Sequence, residues 1–472
     1  MPASLFCCAL STSAQFAGAA AVPDRTAAIQ RAIESCRKSG EVVFDPGTYS
    51  VSTLQLKPDC TYKGTPGKTI LQLNAKNRFL FDLSERSNIR IKDLIFDANY
   101  LGGVILAERN APVRNIYIEN CTFRNVVSAS VYPANLAIFS SWGIIDSVIT
   151  NNHFENVAGG MSISTVQNLT ISGNVFKEVT QGDAIFIAPN PVSFPSGDHL
   201  IVSNNTGTGL AKMGIEIFRP DPPNGSRLVE PRIENNNFSR FTATNDEGMG
   251  LSITHGDGAV IRNNTIDNSE GTLQRNGIGI EVIVSNGWID GNTINYGFGF
   301  GIAVQGKPGS LITANRIFGM WKDGILFACD NGRNRCDSSG STVEQNTITN
   351  ARMNGIRLDN DWARTSIVSN VITRAAGSWT EDRTLSFSGI RMSAAKGAVT
   401  IRGNSVTQTS QTPPQGFGFH GIDLNPDVPG ATISDNTVRS LSPRPLGEGM
   451  AGRVGAGWVM ERNQFGNLAK GQ

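Results

Sequence analysis

A short phrase, written again and again, constrains this chain more than anything else in it. Ile289-Asp290-Gly291-Asn292-Thr293-Ile294 returns as Ile171-Ser172-Gly173-Asn174-Val175-Phe176, Ile261-Arg262-Asn263-Asn264-Thr265-Ile266, Val343-Glu344-Gln345-Asn346-Thr347-Ile348 and Ile433-Ser434-Asp435-Asn436-Thr437-Val438. Its Asn recurs at 152, 174, 205, 236, 264, 292, 315, 346, 370, 404, 436 and 463, at intervals of 22 to 34 residues. Two positions later an apolar residue keeps the same step, among them Phe96, Phe123, Phe154, Phe176, Phe238, Ile266 and Ile294. A unit of that length holds two or three short β-branched strands parted by Gly, Asn and Asp turns, and it cannot bury its apolar face alone. Stacked rungs make one continuous core and bring equivalent positions to about 4.8 Å from each other. Such a repeat outweighs the length prior of about three domains, because a solenoid grows without splitting its core. An Asn in each turn can adopt the left-handed conformation and hydrogen-bond to its counterpart one rung away.

Ahead of the repeats, residues 24–38 read as an amphipathic helix. Ile29, Ile33 and Cys36 share one face, Asp24 caps the start and Gly40 ends it. Val42-Val43-Phe44-Asp45-Pro46-Gly47-Thr48-Tyr49 follows as a strand with a Pro-Gly turn. The helix with Asp24-Arg25-Thr26-Ala27-Ala28-Ile29-Gln30, the Pro-Gly-Thr-Tyr strand end and Asp59-Cys60-Thr61-Tyr62-Lys63-Gly64 together resemble the entry to the pectate-lyase-like superfamily of right-handed parallel β-helices. The Asn repeats resemble that superfamily's ladder, so the likeness covers roughly 24 to 465. It implies an all-β, single-stranded right-handed parallel β-helix with an N-terminal capping helix. It leaves the reaction open, since lyases, hydrolases, epimerases, tailspikes and adhesins share that fold. The expected organisation is a leader over 1–22, a cap over 23–80, rungs over 81–466 and a tail over 467–472.

The leader carries a short apolar run, Leu5 to Leu10, and small residues ending Ala17-Gly18-Ala19-Ala20-Ala21, which reads as an atypical secretory signal. Export, to the periplasm or the medium, is the expectation. No apolar run is long enough to span a bilayer. A net charge of +1 makes neither nucleic acid nor a membrane a default partner, and a monomer is expected. Seven cysteines are too scattered for a disulfide miniprotein. Cys36 and Cys60 are placed to tie the helix to the strands after it, and Cys329 and Cys336 to close a polar loop. Cys121 stands in the Asn slot as an inert core thiol.

A second recurring unit, Gly-Ile-x-Ile, precedes each Asn phrase, as in Gly214-Ile215-Glu216-Ile217 and Gly355-Ile356-Arg357-Leu358. Alternation sends its Ile residues inward and the residue between them outward. The outward column then reads Ser162, Phe186, Glu216, Ser252, Gly279, Ala303, Leu326, Arg357, Arg391 and Asp423. In enzymes that this fold resembles, that face carries the substrate groove. Registering the rungs on the Gly collects Glu216, Arg219 and Asp221 on one rung, His255 and Asp257 on the next, then Glu281, then Lys307. In that register Arg219 stands over His255 and Asp221 over Asp257.

Two chemistries fit these residues. Elimination or epimerisation on a uronic-acid polymer needs a base and a cation to stabilise the enolate. His255 or Lys307 would be the base and Arg219 the cation. Hydrolysis needs two carboxylates, supplied by Asp183 and Glu216 or by Glu216 and Glu281. Asp183, Phe186, Asp257, Arg357 and Arg391 are the expected substrate contacts. No cofactor is required; if calcium takes part, Asp221 and Asp257 are the expected ligands. The reading is an enzyme acting on an acidic polysaccharide, with elimination ahead of hydrolysis. The alternative from another class is a glycan-binding or structural β-helix without catalysis.

Overall fold

The computed structural model describes residues 22–108, 111–126, 132–188, 197–218, 228–244, 248–328, 339–359, 363–374, 387–393, 397–409, 419–425, 427–441, 448–451, 454–455 and 457–466. Residues 1–21 of the expected leader, Arg219, Asp221, Cys329, Cys336 and the loop tips between strands lie outside them.

Each rung gives one strand to each of three parallel sheets, as Gly287–Asp290, Thr293–Asn295 and Phe298–Gln305 do in turn. Among the described residues the sheets hold 16, 16 and 15 strands, and a strand's hydrogen-bonded neighbour is its counterpart in the next rung. A fourth, three-stranded sheet of Gly197–Asp198, Leu228–Val229 and Gly256–Asp257 comes between the third sheet and the first along the chain. The chain is therefore the expected parallel β-helix with its core inside the coil.

The Asn repeat sits at the corner between the first and second sheets. Asn292 donates from its backbone N–H and its Nδ2 to the same Asn315 Oδ1, at 3.0 and 2.9 Å, and its Nδ2 also reaches the Ile261 carbonyl at 2.9 Å. The same pattern links Asn152 through every ladder Asn to Asn463. Turn N–H groups buried between rungs thus find acceptors that water cannot supply. Cys121 takes the slot ahead of Asn152, giving its N–H to Asn152 Oδ1 at 2.9 Å. Burial pushes its thiol up to about 12, which makes it inert.

One expectation shifts by a residue. The left-handed position is not the ladder Asn but the residue before it: Asn151, Gly173, Asn204, Asn263, Gly291, Ala314 and Asp435 all have φ between 51° and 65°. The ladder Asn itself is left free to use its side chain.

Inside, Phe96, Phe123, Phe154 and Phe176 stack in register with centroids 5.3, 4.7 and 4.7 Å apart. Gly207 then takes the slot between Phe176 and Phe238, where a Cβ would lie 2.7 Å from the Phe238 ring.

The helix spans Thr26–Ser35, shorter than expected. Ile29 and Ile33 are buried, and Asp24 accepts the Thr26 N–H at 2.8 Å although Arg25 holds the cap position. Gly40 does not end it. Cys36 leaves helical geometry directly after Ser35, bonded to Cys60, and Gly40 already starts the first strand, Gly40–Val43.

Candidate functional site

The third sheet carries the outward column. Ser162, Phe186, Glu216, Ser252, Glu281, Ala303, Leu326, Arg357, Arg391 and Asp423 are successive register partners. Glu281, not Gly279, holds the fifth place. Gly277-Ile278-Gly279-Ile280 writes the Gly-Ile step twice, and the strand Gln274–Ile283 has a register irregularity between Gln274 and Ile278. Gly279 is the glycine that packs inward: a Cβ there would lie 2.5 Å from Ile294 Cγ2 and 2.7 Å from the Gly301 carbonyl.

The two-residue shift puts one of the expected carboxylate pairs into a single column. Glu216 and Glu281 stand in one column, parted by Ser252. Glu281 is buried and accepts hydrogen bonds from Ser252 Oγ at 2.8 Å and Gln305 Nε2 at 3.4 Å.

Asp183 is the residue before Ala184-Ile185, at the mouth of the preceding rung, and it is buried. Lys212 Nζ lies 2.7 Å from Glu216 Oε2 and 3.4 Å from Asp183 Oδ2. Burial, then the charge of Glu216 and a hydrogen bond shared with it, push the Asp183 carboxyl up to about 7, against the pull of Lys212. Asp183 Oδ1 is buried and receives no hydrogen bond, which suits an oxygen that carries the proton. Asp183 is therefore the member of the pair that can carry a proton near neutral pH.

The same contact recurs further along. Asp323, before Gly324-Ile325, is fully buried; it accepts the Asn354 N–H and Nδ2 at 2.9 and 2.7 Å and faces Arg357 of the next rung at 3.5 Å. Burial pushes its carboxyl up, opposed by Arg357 and Asn354. Arg357 also pairs with Asp359 at 2.5 Å, and Arg391 with Asp423 at 3.8 Å.

The remaining expected residues separate from this column. His255 is a buried corner residue with φ 59°, between the third-sheet strand Met249–Thr254 and Gly256–Asp257, and its N–H donates to the Ile283 carbonyl at 2.9 Å. The register partner of Asp257 is Val229, and its expected neighbour Asp221 lies outside the described residues. Lys307 is ion-paired with Asp257. Among the described residues, no three His, Cys, Asp or Glu side chains gather where a metal ion would sit.

Lys212 and Asp323 escaped the sequence reading. The signal for Asp323 was present: Lys322-Asp323-Gly324-Ile325 sets an Asp where Gly182-Asp183-Ala184-Ile185 sets one. Lys212 carried none, since its reach to Glu216 depends on the turn ahead of the strand Met213–Ile217. Concavities of about 510 Å³ (around Asp59, Asn88 and Tyr117) and 470 Å³ (around Ile29 and Tyr49) lie at the N-terminal end, away from the carboxylates. The carboxylate column remains the candidate, because each concavity is lined by a single acid, Asp59 or Asp45, and neither brings two together.

The family model described as right handed beta helix region matches residues 83–219 and 224–406. No curated protein is detectably similar in sequence. Among solved structures, the catalytic unit of a thermostable GH87 α-1,3-glucanase from Streptomyces thermodiastaticus is 15% identical, with a TM-score of 0.50 over 88% of this chain and 66% of that one. The chain thus spans just under two thirds of that protein's length. A PL6 alginate lyase in complex with a trisaccharide is 16% identical, with a TM-score of 0.45 over 79% of this chain and 82% of that one. The surface protein and adhesin PfbA of Streptococcus pneumoniae is 13% identical, with a TM-score of 0.39 over 96% of each. At these identities the likeness is one of fold.

Proposed function

We infer that this chain, which belongs to the right-handed β-helix family, is a polysaccharide-cleaving enzyme that works by hydrolysis on the outward face of its third sheet. The observation that carries this reading is the Glu216–Ser252–Glu281 column. Two rungs separate the glutamates by about 9–10 Å at the backbone. Carboxyl groups of inverting glycosidases stand roughly 6.5–9.5 Å apart, which leaves room for a water beside the sugar.

The roles follow from the surroundings of each group. Asp183, its carboxyl pushed up to about 7 by burial and by Glu216 beside it, holds a proton near neutral pH, as a general acid must, and donates it to the leaving oxygen. Glu281, oriented by Ser252 and Gln305, accepts the proton of the attacking water. Lys212 offsets the charge left on the acid pair after transfer. Phe186, next to Glu216 in the column, offers a ring for a sugar to stack on, and Arg357 and Arg391 lie further along the same face.

Elimination stood first on the sequence, through His255 or Lys307 as base. A buried corner histidine and a lysine already paired with Asp257 favour it less than the carboxylate column favours hydrolysis. A secreted or periplasmic setting accords with a polymeric substrate and with the Cys36–Cys60 disulfide. Incubation with a panel of uronate and neutral polysaccharides tests the reading. New reducing ends without ultraviolet-absorbing product support hydrolysis, an unsaturated product supports elimination, and neither product supports a non-catalytic glycan binder.

A further inference from the structure

The outward column continues past Glu281. Ala303, small and buried, and Leu326, apolar and half-buried, come next, and then Arg357, Arg391 and Asp423. Arg357 and Arg391 are register partners on neighbouring rungs, so their backbones stand about 4.8 Å apart. Like charges directly opposite each other across two strands destabilise a sheet. Here each guanidinium has a carboxylate of its own. Arg357 Nη2 meets Asp359 Oδ2 at 2.5 Å and its Nη1 meets the buried Asp323 Oδ2 at 3.5 Å, while Arg391 Nε stands 3.8 Å from Asp423 Oδ2. The carboxylates are fixed in turn. Ser393 Oγ donates to Asp359 Oδ1 at 3.1 Å, and the buried Ser388 donates from Oγ to Asp423 Oδ2 at 3.4 Å. The neighbouring Lys322 reaches towards earlier rungs, donating to Asn276 Oδ1 at 3.0 Å.

Such pairs offer hydrogen bonds more than charge. A guanidinium carries five N–H donors and an ionised carboxylate about four acceptor sites, so each pair keeps donors and acceptors beyond those that join its two members. The four side chains of Arg357, Asp359, Arg391 and Asp423 all reach solvent, 21 to 30% exposed. Ion pairs and serine hydroxyls already hold them in place, so a ligand has little side-chain freedom to remove. Sugar hydroxyls both donate and accept, and neighbouring hydroxyls on one ring match donors and acceptors fixed side by side. A carboxylate ligand has to compete with Asp359 and Asp423 for the same guanidiniums, and an uncharged sugar does not. The pairs lie three to five rung spacings from Glu281, about 14–24 Å. A glycan that reacts beside Glu281 therefore reaches them only by extending over several sugar residues.

We propose that the Arg357–Asp359 and Arg391–Asp423 pairs form a distal subsite for the hydroxyls of an uncharged polysaccharide, whose chain passes over Ala303 and Leu326 on its way from the carboxylates. The assignment rests on the glycan reading of the Glu216–Glu281 column. It names the substrate class of that column, neutral where the sequence suggested acidic.

Affinity electrophoresis tests the subsite without asking for turnover, in an E281Q background that leaves the polymer in the gel uncut. The probes are dextran, laminarin and glucomannan as neutral polymers, and polygalacturonate and alginate as acidic ones. The expected result is retardation by at least one neutral polymer that added salt does not relieve. R391Q and D359N each weaken that binding about tenfold, as for loss of a charge-assisted hydrogen bond. The double substitution D359N/D423N frees Arg391 and leaves Arg357 with Asp323 alone, so it gains retardation by an acidic polymer while losing it by the neutral one. R391Q, at a half-buried position, covers the case in which the double variant folds poorly. Absence of retardation by all three neutral polymers overturns the assignment, as does neutral binding unchanged in both R391Q and D359N, or stronger retardation by an acidic polymer before any substitution in the pairs. Failure of the hydrolase reading looks different: wild type then releases no product from the neutral polymer that retards it, while R391Q and D359N still bind that polymer more weakly.

Discussion

Asp183 and Glu216 stand on neighbouring rungs and share one ammonium, Lys212 Nζ lying 3.4 Å from Asp183 Oδ2 and 2.7 Å from Glu216 Oε2. Asp183 is buried and faces Glu216 as well as that one cation, so it keeps a proton that an exposed aspartate would lose. In the proposed mechanism that proton is the one the general acid donates.

Its signature is a dependence of stability on pH. The Asp183 carboxyl has an ordinary value of 3.8 and is pushed up to about 7 in the fold. Between those values the folded chain keeps a proton that the unfolded chain has released, so this group's contribution to stability falls as pH rises through that window. Asp183→Asn removes the dependence. Melting curves should show the variant gaining on wild type as pH rises from about 4 to about 8; an unchanged gap would mean that Asp183 is ionised in the fold.

The Asn ladder should behave as structure alone. Asn292 Oδ1 receives the Asn264 N–H at 2.9 Å and its Nδ2 at 3.0 Å. Asn292→Ala leaves the Asn264 N–H buried and unpaired and its Nδ2 with the Ile233 carbonyl alone, at a cost of about 2–4 kcal/mol. Urea denaturation should register that loss, with product formation per folded molecule unaltered.

Much of this architecture could be read from the residues, and the reason is physical. A rung that buries its face only against its copies must repeat its core residues in step, so Asn292, Ile294 and the Phe96–Phe176 stack all declare themselves. The column was legible for the same reason, except where Gly277-Ile278-Gly279-Ile280 offered two equivalent registers. That two-residue ambiguity left Glu281 out of the outward column, although the residues already offered it with Glu216 as a carboxylate pair. His255 stands off that column: it follows Ser252 by three in sequence, but the left-handed turn at φ 59° takes the chain round the corner there. Lys212 was invisible because its contacts are made by the far end of a flexible side chain coming out of a turn.

Close packing of the third sheet gives another test. A Cβ at Gly301 would lie 2.5 Å from the Gly324 carbonyl and 2.6 Å from Ile317 Cγ2. Gly301→Ala should destabilise the fold by about 1–3 kcal/mol, the range for overpacking a rigid interior, read as a lower urea midpoint. Gly340→Ala, with nothing within 4 Å of its added Cβ but a φ of 68°, should act through backbone strain instead and cost about 1 kcal/mol.

The Cys36–Cys60 bond closes a separation of 24 residues between the cap helix and the first rungs. Loop-closure entropy for that length is worth about 3 kcal/mol. Replacing both cysteines with Ala should lower the melting temperature, and a reductant should lower that of wild type more than that of the variant.

The most direct test of the account is proton NMR of the first product released from the polysaccharide that the chain cleaves, followed in wild type and in E281Q. The account predicts a new reducing end of inverted anomeric configuration, with the rate falling about 10²–10⁴-fold in E281Q, the usual worth of a positioned acid or base. Retained configuration, an unsaturated sugar, or full activity in E281Q would contradict it.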